Sequence, residues 1–220
     1  MFASLLKNIF SASGRHNAGT PAIRLHIGGQ IAHPDWKILN VLPGPHVDYL
    51  GHCADLSRFA DDSILEIYAS HVIEHLRFQK ELPATLREFN RVLTAGGVLR
   101  VSAPDLDTLC RLFLDPEMSL KQRMQIMGIK FGSQMDEADF HYVGLNEDIL
   151  TAYLHDASFT DIVRVENFGL FDDTSNMVYK LPISLNVAAR KPLPARRITA
   201  RDFSRAFRAS PPARARPSRL

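Results

Sequence analysis

Two histidines and a glutamate stand within five residues of one another in the run His71-x-x-Glu74-His75, and His141 lies in an acid-rich stretch further along the chain. Imidazole titrates near neutral pH, so a histidine can accept or release a proton under physiological conditions. Imidazole and carboxylate groups are also ligands of metal ions. These residue types at this spacing therefore indicate either proton transfer or metal binding, and the surrounding elements must decide between them.

The histidine cluster lies between a predicted strand at 65–69 and a predicted helix at 82–93. The leucines and the phenylalanine of that helix recur at helical spacing, which gives it one apolar face. Gly96 and Gly97 follow, and we expect them to supply the left-handed exit into a second strand at 98–104. A strand, a covering helix and a second apolar strand form the crossover unit of a parallel sheet.

The rest of the chain continues this alternation. Further strands are predicted at 22–27, at 36–41, within 46–53, at 161–167 and at 183–189, with helices at 106–113, 120–129 and 147–155. The order predicts an α/β fold. In open sheets of this kind a ligand lies beyond the carboxyl ends of the strands, so the residues that follow each strand are the candidates for a site.

One segment resembles a known family. Residues 89–101 read FNRVLTAGGVLRV, similar to the RVLKPGGxLxI segment of class I S-adenosylmethionine-dependent methyltransferases, and the resemblance covers about residues 22–190. It is best matched by uncharacterised bacterial methyltransferase-like proteins. The resemblance implies a Rossmann-like, mostly parallel sheet with helices on both faces, S-adenosyl-L-methionine as cofactor, and methyl transfer to a small-molecule or glycan acceptor.

The resemblance also implies a cofactor site at the ends of four strands. The implied residues are His26, Gly28 and Gly29 at the methionine part, Asn40 at the ribose, Asp55 and Leu56 at the adenine, and Ala69 and Ser70 beside the sulfonium. Methyl transfer to oxygen or nitrogen often needs a proton removed from the acceptor. We therefore expect His71 and His141 to be catalytic residues, the alternative for His141 being an exposed polar loop.

The chain departs from the family at the first two of these loops. His26 replaces the usual acid of the glycine motif, and Gln30 replaces its second glycine. Asn40 replaces an acid, and it can bond a ribose hydroxyl without the charge that strengthens such a bond. These departures leave open an alternative function, a binding or assembly module with weak or absent catalysis.

Metal binding is the other chemistry that His71-x-x-Glu74-His75 permits. The run has the H-x-x-E-H pattern of inverted zinc peptidases, but those enzymes carry this motif on a helix and have a third zinc ligand elsewhere. It is also similar to the E-x-x-E-H of some magnesium-assisted methyltransferases, and two histidines would favour zinc, manganese or iron over magnesium. Because no third ligand has matching spacing, we predict no metal, with Glu74 and His75 supporting the cleft.

Composition narrows the class of protein. The 220 residues are 45% hydrophobic and 23% charged, which is ordinary for a globular domain. The two cysteines show no pairing pattern, and no run of about 18 apolar residues occurs. We therefore predict a cytoplasmic protein without a transmembrane segment.

The two ends differ from the middle. Residues 1–21 are predicted to be an extension and linker, residues 22–190 the methyltransferase-like domain, and residues 191–220 a disordered basic tail. The tail holds nine lysines and arginines, one acid and five prolines, a charge of +8 in a chain of net charge +2. It is either a solubilising arm or an attachment to an anionic partner.

Removal of residues 195–220 should leave the melting temperature nearly unchanged, because a disordered segment buries little apolar area. The same truncation should reduce retention on an anionic resin, and the retention of the full chain should fall steeply with salt. Thermal unfolding and chromatography of both forms measure this. A large drop in melting temperature would show a docked tail.

Overall fold

The computed structural model of the protein describes residues 23–135 and 139–194. The strands are β1 (Ile23–Ile27), β2 (Lys37–Asn40), β3 (Tyr49–Leu50), β4 (Ile64–Ser70), β5 (Leu93–Pro104), β6 (Thr160–Val165), β7 (Val178–Tyr179), β8 (Leu181–Pro182) and β9 (Ser184–Arg190). The α-helices are α1 (Glu81–Val92), α2 (Leu106–Leu114), α3 (Leu120–Phe131) and α4 (Glu147–Asp156). Short 3-10 turns lie at Ile73–His75 and Thr174–Asn176.

Seven strands form one sheet in the order β3-β2-β1-β4-β5-β9-β6. The first five pair in parallel, whereas β9 is antiparallel to both β5 and β6. The predicted α/β fold with a mostly parallel sheet is confirmed. The strand order reverses between β1 and β4, and a ligand cleft is expected outside the carboxyl ends of strands at such a point.

The crossover from β4 to β5 forms as the sequence predicted, with one local difference. Leu82, Leu86 and Phe89 of α1 are fully buried. The helix ends at Val92, and the next residue, Leu93, already has an extended conformation and begins β5. The left-handed residue is Gly96, with φ +78°, and it lies inside β5 where the pairing with β4 shifts register. The glycine therefore forms an irregularity within the strand, and the helix leaves without a left-handed residue.

The two faces of the sheet are covered differently. Alternate strand residues such as Leu25 and Ile27 join the main core with the apolar residues of α1 and α4. The other alternate residues of the strands point to the opposite face of the sheet. There Tyr68 of β4 packs with Trp36 and Phe171 in an aromatic cluster. Phe171 comes from the segment between β6 and β7. That segment therefore covers the centre of the second face.

His26 lies in this aromatic cluster and is 4% exposed. Its ring centroid is 4.1 Å from that of Phe171 and 4.9 Å from that of Tyr68. Burial lowers the pKa of His26 to about 4. The ring is therefore neutral at pH 7 and belongs to the packing of the second face.

The predicted tail begins where the domain still makes contacts. Lys191 Nζ donates to the carbonyls of Leu93 at 2.7 Å and Arg91 at 3.2 Å. The predicted extension and linker at 1–21 and the tail from residue 195 lie outside the described residues. In residues 23–135 and 139–194, no helix has the length and apolar character needed to cross a membrane.

The buried neutral His26 should make stability sensitive to acid. The unfolded chain binds a proton at His26 below pH 6.5, whereas the folded chain does so only near pH 4, so stability is lost as the pH falls through this window. The loss should be about 2 kcal/mol of unfolding free energy by about pH 5. Denaturant unfolding at several pH values should show a flatter dependence for His26→Phe.

The exposed His155 on α4 offers the control, since His155→Ala should keep the wild-type pH dependence. An unchanged dependence in His26→Phe would contradict this account of His26.

Candidate functional site

A cleft of about 700 Å³ opens at the carboxyl ends of β1, β2 and β4. This volume lies within the range of about 300–1,000 Å³ that is usual for small-molecule and cofactor sites. Its lining includes Gly28, Asn40, His52, His71, His75 and Tyr142. The cleft is therefore at the strand-order reversal, where the topology predicts a ligand.

Gly28 brings backbone to the edge of the cleft immediately after β1. Its φ is +77°, and a Cβ there would lie 2.5 Å from Val72 Cγ2. Its N–H donates to the Leu39 carbonyl at 2.8 Å, which ties the loop to β2. A side chain at this position would be disfavoured both by the backbone conformation and by the contact with Val72.

On the other side of this loop, Gly29 packs against the buried ring of His26. A Cβ on Gly29 would lie 2.5 Å from His26 Nδ1, so the glycine is needed for packing over the buried ring. Of the predicted residues of this first loop, Gly28 lines the cleft, and His26 and Gly29 do not. Gln30, the departure from the family pattern, does line it.

Asn40 connects the loops that follow β1 and β2. Its Nδ2 donates to the Gly29 carbonyl at 3.0 Å, and its Oδ1 accepts from the Leu42 N–H at 3.0 Å. The residue is 7% exposed and lines the cleft. One N–H and one lone pair of the amide remain for a ligand.

The residues predicted at the adenine lie beside the cleft, outside its lining. Leu56 is fully buried in the core, and Asp55 is exposed with its carboxylate accepting from the Ser57 N–H at 3.1 Å. The positions that line the cleft after β3 are Gly51, His52 and Cys53. A ligand is expected beyond the carboxyl end of each strand, and β3 already ends at Leu50, so the residues directly after Leu50 line the cleft. A prediction of the end of this short strand would have found them.

The end of β4 shows a similar offset. Ala69 is fully buried, Ser70 is half-buried, and neither lines the cleft. His71 and Val72, the next two residues, do line it. The chain turns at His71, whose φ is +52° and whose N–H donates to the Ser102 carbonyl at 2.9 Å. The turn carries the His71 side chain into the cleft.

The His71 ring is held at both nitrogens. Nε2 lies 3.0 Å from Ser184 Oγ, and Nδ1 lies 3.2 Å from Glu74 Oε1. Ser184 Oγ also lies 2.8 Å from the Thr174 carbonyl, to which it donates. With its hydrogen directed there, the serine accepts from Nε2–H, and Nδ1 faces the carboxylate. That contact is favourable only when a proton lies between Nδ1 and Oε1.

Glu74, His75 and His141 form a second cluster beside this pair. Glu74 is 1% exposed, and the His75 and His141 ring centroids are 4.7 Å apart. One possible ligand atom from each of the three residues lies within 4.8 Å of the other two. The predicted absence of a metal rested on a missing third ligand, and the fold supplies a candidate from a distant part of the sequence.

Backbone contacts bring His141 to this cluster. The Tyr142 N–H donates to the Glu74 carbonyl at 2.8 Å, and the His141 N–H donates to the Phe131 carbonyl at 3.1 Å. Burial lowers the pKa of His141, so its ring is neutral at pH 7. His141 itself does not line the cleft, whereas the neighbouring Asp139 and Tyr142 do.

The peptidase alternative does not fit this geometry. His71 lies in the turn after β4, and Glu74 and His75 lie in a single 3-10 turn at Ile73–His75. The zinc peptidase arrangement needs both histidines on one helix.

Residues 38–101 match the family model described as Methyltransferase domain. The predicted resemblance to class I S-adenosylmethionine-dependent methyltransferases is confirmed. The matched stretch runs from β2 into β5 and therefore includes Asn40, His71 and Glu74. No curated protein sequence matches the chain.

Solved structures share the methyltransferase fold at low identity. A SAM-dependent methyltransferase from Archaeoglobus fulgidus is 16% identical, with a TM-score of 0.51 over 86% of this chain and 92% of that one. The DszA carbon methyltransferase is 11% identical, with a TM-score of 0.50 over 88% of this chain and 53% of that one. The CurJ carbon methyltransferase is 14% identical, with a TM-score of 0.49 over 80% and 50%. The chain thus spans about half the length of these two carbon methyltransferases.

Removing the Asn40 amide should loosen both loops that it connects. Asn40→Ala leaves the Leu42 N–H and the Gly29 carbonyl without these partners, which should lower the unfolding free energy by about 1–3 kcal/mol. Denaturant unfolding measures the change. Asn90→Ala is the control, because its amide makes one exposed bond of 3.3 Å and should cost less than about 0.5 kcal/mol. Equal losses in the two variants would contradict this role of Asn40.

Proposed function

We propose that the protein is an S-adenosyl-L-methionine-dependent methyltransferase that acts on a small-molecule or glycan acceptor. The observation that carries the proposal is the cleft at the reversal of strand order, where Gly28 offers backbone without a side chain. When bound, S-adenosyl-L-methionine supplies an electrophilic methyl group on a sulfonium. The residues of the chain then have to bind the cofactor, align the acceptor and take up a proton.

The residues around the cleft fit the parts of this cofactor. Gly28 brings its backbone to the cleft, where the methionine part can approach it, and the remaining N–H and lone pair of the Asn40 amide can bond a ribose hydroxyl. His52 and Cys53 line the place that the family gives to the adenine. Burial raises the pKa of the Cys53 thiol to about 12, so it offers an uncharged surface to a base.

His71 is the better supported of the two predicted proton acceptors. It lines the cleft, whereas His141 does not. The contact between His71 Nδ1 and Glu74 Oε1 at 3.2 Å becomes favourable when a proton lies between the two atoms. An acceptor hydroxyl or amine that reaches Nδ1 would therefore lose its proton to this pair when it is methylated.

A binding or assembly module with weak or absent catalysis is the second candidate. Two observations favour it, namely Gln30 in the cleft lining and the use of both Asn40 amide atoms in bonds within the protein. Calorimetric titration with S-adenosyl-L-methionine and with its demethylated product separates the two functions. A methyltransferase should bind both ligands, and a module that has lost the cofactor should bind neither.

Two further proposals follow from the sequence. Both cysteines of the chain are free, which agrees with a reducing compartment, and we propose a cytoplasmic location.

For the basic residues from 191 onward we propose an anionic partner.

Gly28→Val should abolish cofactor binding, because a branched side chain there would need a disfavoured backbone conformation and would contact Val72. Calorimetry on the folded variant measures the affinity, and thermal unfolding verifies that it is folded. Gly128→Ala on α3 is the control, because a Cβ there meets nothing within 4 Å. Unchanged affinity in Gly28→Val would show that the cofactor does not occupy this part of the cleft.

A further inference from the structure

We propose that Glu74, His75 and His141 bind a divalent transition-metal ion at the edge of the cleft. One ligand atom of each residue lies within 4.8 Å of the other two. Metal ligands at about 2.0–2.2 Å from an ion stand about 3–3.5 Å from one another. Small rotations of the three side chains would therefore bring them to coordinating distance.

The Glu74 carboxylate lacks the partners that a buried charge needs. The residue is 1% exposed, and neither of its oxygens accepts a hydrogen bond of normal geometry from any described residue. The contact with His71 Nδ1 involves Oε1 alone and leaves Oε2 available. A buried carboxylate is stabilised by an ion pair or by a metal ion, so a cation beside Oε2 would supply the missing compensation.

The hydrogen bond of His75 leaves the correct nitrogen for a metal. Its Nδ1 lies 3.1 Å from the Phe140 carbonyl, and because a carbonyl only accepts, Nδ1 must carry the proton. In the neutral form of the ring, the lone pair is then on Nε2. Metal-bound histidines usually donate their other N–H to a carbonyl or carboxylate in this way, which fixes the ring and makes it a better ligand.

His141 supplies the third donor. Its Nδ1 is buried and makes no hydrogen bond with the described part of the chain. Burial also lowers the pKa of this ring and keeps it in the neutral form that binds a metal. The segment that carries it is fixed by the bond from the Tyr142 N–H to the Glu74 carbonyl, so two of the three ligands are connected through the backbone.

The ligand set selects the class of ion. Two imidazole nitrogens and one carboxylate oxygen suit zinc, iron(II) or manganese, whereas magnesium and calcium prefer oxygen ligands alone. Three protein ligands leave at least one coordination position open. Of the three ligands His75 lines the cleft, so the ion would lie at the edge of the space in which the acceptor would bind.

This placement suggests a role that rests on the proposed methyltransferase function. A metal ion at this position would hold an acceptor oxygen as a Lewis acid and make its proton easier to remove. The proton would pass to the His71–Glu74 pair, whose contact uses Oε1. Acceptors with a hydroxyl group are the substrate class that this arrangement favours.

Equilibrium dialysis of the full chain against zinc, with metal analysis of the protein, tests the site without cofactor or substrate. We expect one zinc ion per chain in the wild type and in the control His155→Ala, whose histidine is exposed on α4. Glu74→Gln and His141→Ala should each lose at least about 100-fold in affinity, since even outer partners of a ligand contribute about 10–100-fold. Far-UV circular dichroism verifies that the variants are folded.

Cobalt(II) provides a second readout that a purely structural role would not change. The wild type should give the visible absorption of a cobalt site with low coordination number, and His141→Cys should retain the ion and add a thiolate-to-cobalt band. Absence of zinc and cobalt binding in the folded wild type would overturn the proposal, as would equal binding in His141→Ala. Calorimetry with S-adenosyl-L-methionine on metal-free protein tests the methyltransferase function separately, so failure of one proposal is distinguishable from failure of the other.

Discussion

The buried carboxylate of Glu74 is the group on which the arrangement of this site depends. Its side chain is almost completely removed from water, and three histidines surround it: His71, His75 and His141. Its backbone carbonyl also accepts the N–H of Tyr142, which holds the segment after α3 against the end of β4. A charge in such a position must be balanced by a proton or by a cation. Both chemistries proposed for this cleft follow from that requirement.

The sheet determines where this chemistry takes place. Parallel strands β1, β2 and β4 end at the same edge, and the reversal of strand order between β1 and β4 leaves an opening there. Gly28 forms one side of the opening and His71 lies across from it, because both residues follow adjacent strands. A cofactor that lies along the ends of the strands would therefore be near the proton-accepting pair. The aromatic cluster around His26 and Tyr68 packs against the second face of the sheet at the same strands.

Much of the fold could be predicted because its signals are local. The apolar spacing of α1 and the apolar strands β4 and β5 appear directly in the sequence. The predicted helices agree with the observed ones within a few residues, whereas β5 begins five residues before its predicted start and the short strands β7 and β8 were not predicted. Individual site residues were harder to predict, since an error of one or two residues at a strand end changes which side chain enters the cleft. Ala69, Ser70 and His71 were all expected in the site, and of these three only His71 lines the cleft, together with Val72. Asp55 and Leu56 were displaced from the true strand end in the same way.

The cluster of Glu74, His75 and His141 could not be predicted from spacing. His141 comes from a distant segment that reaches Glu74 through backbone hydrogen bonds, and such long-range contacts leave no periodic signal in the sequence. Likewise, the reason for Gly29 is the buried ring of His26, which only the tertiary structure reveals.

A crystal structure of the protein with S-adenosylhomocysteine would show where the ligand lies. We predict electron density for the ligand across the ends of β1, β2 and β4, with its sulfur on the side of the cleft that carries His71. Density for the ligand at another surface, or a cleft that stays empty at saturating concentration, would contradict it.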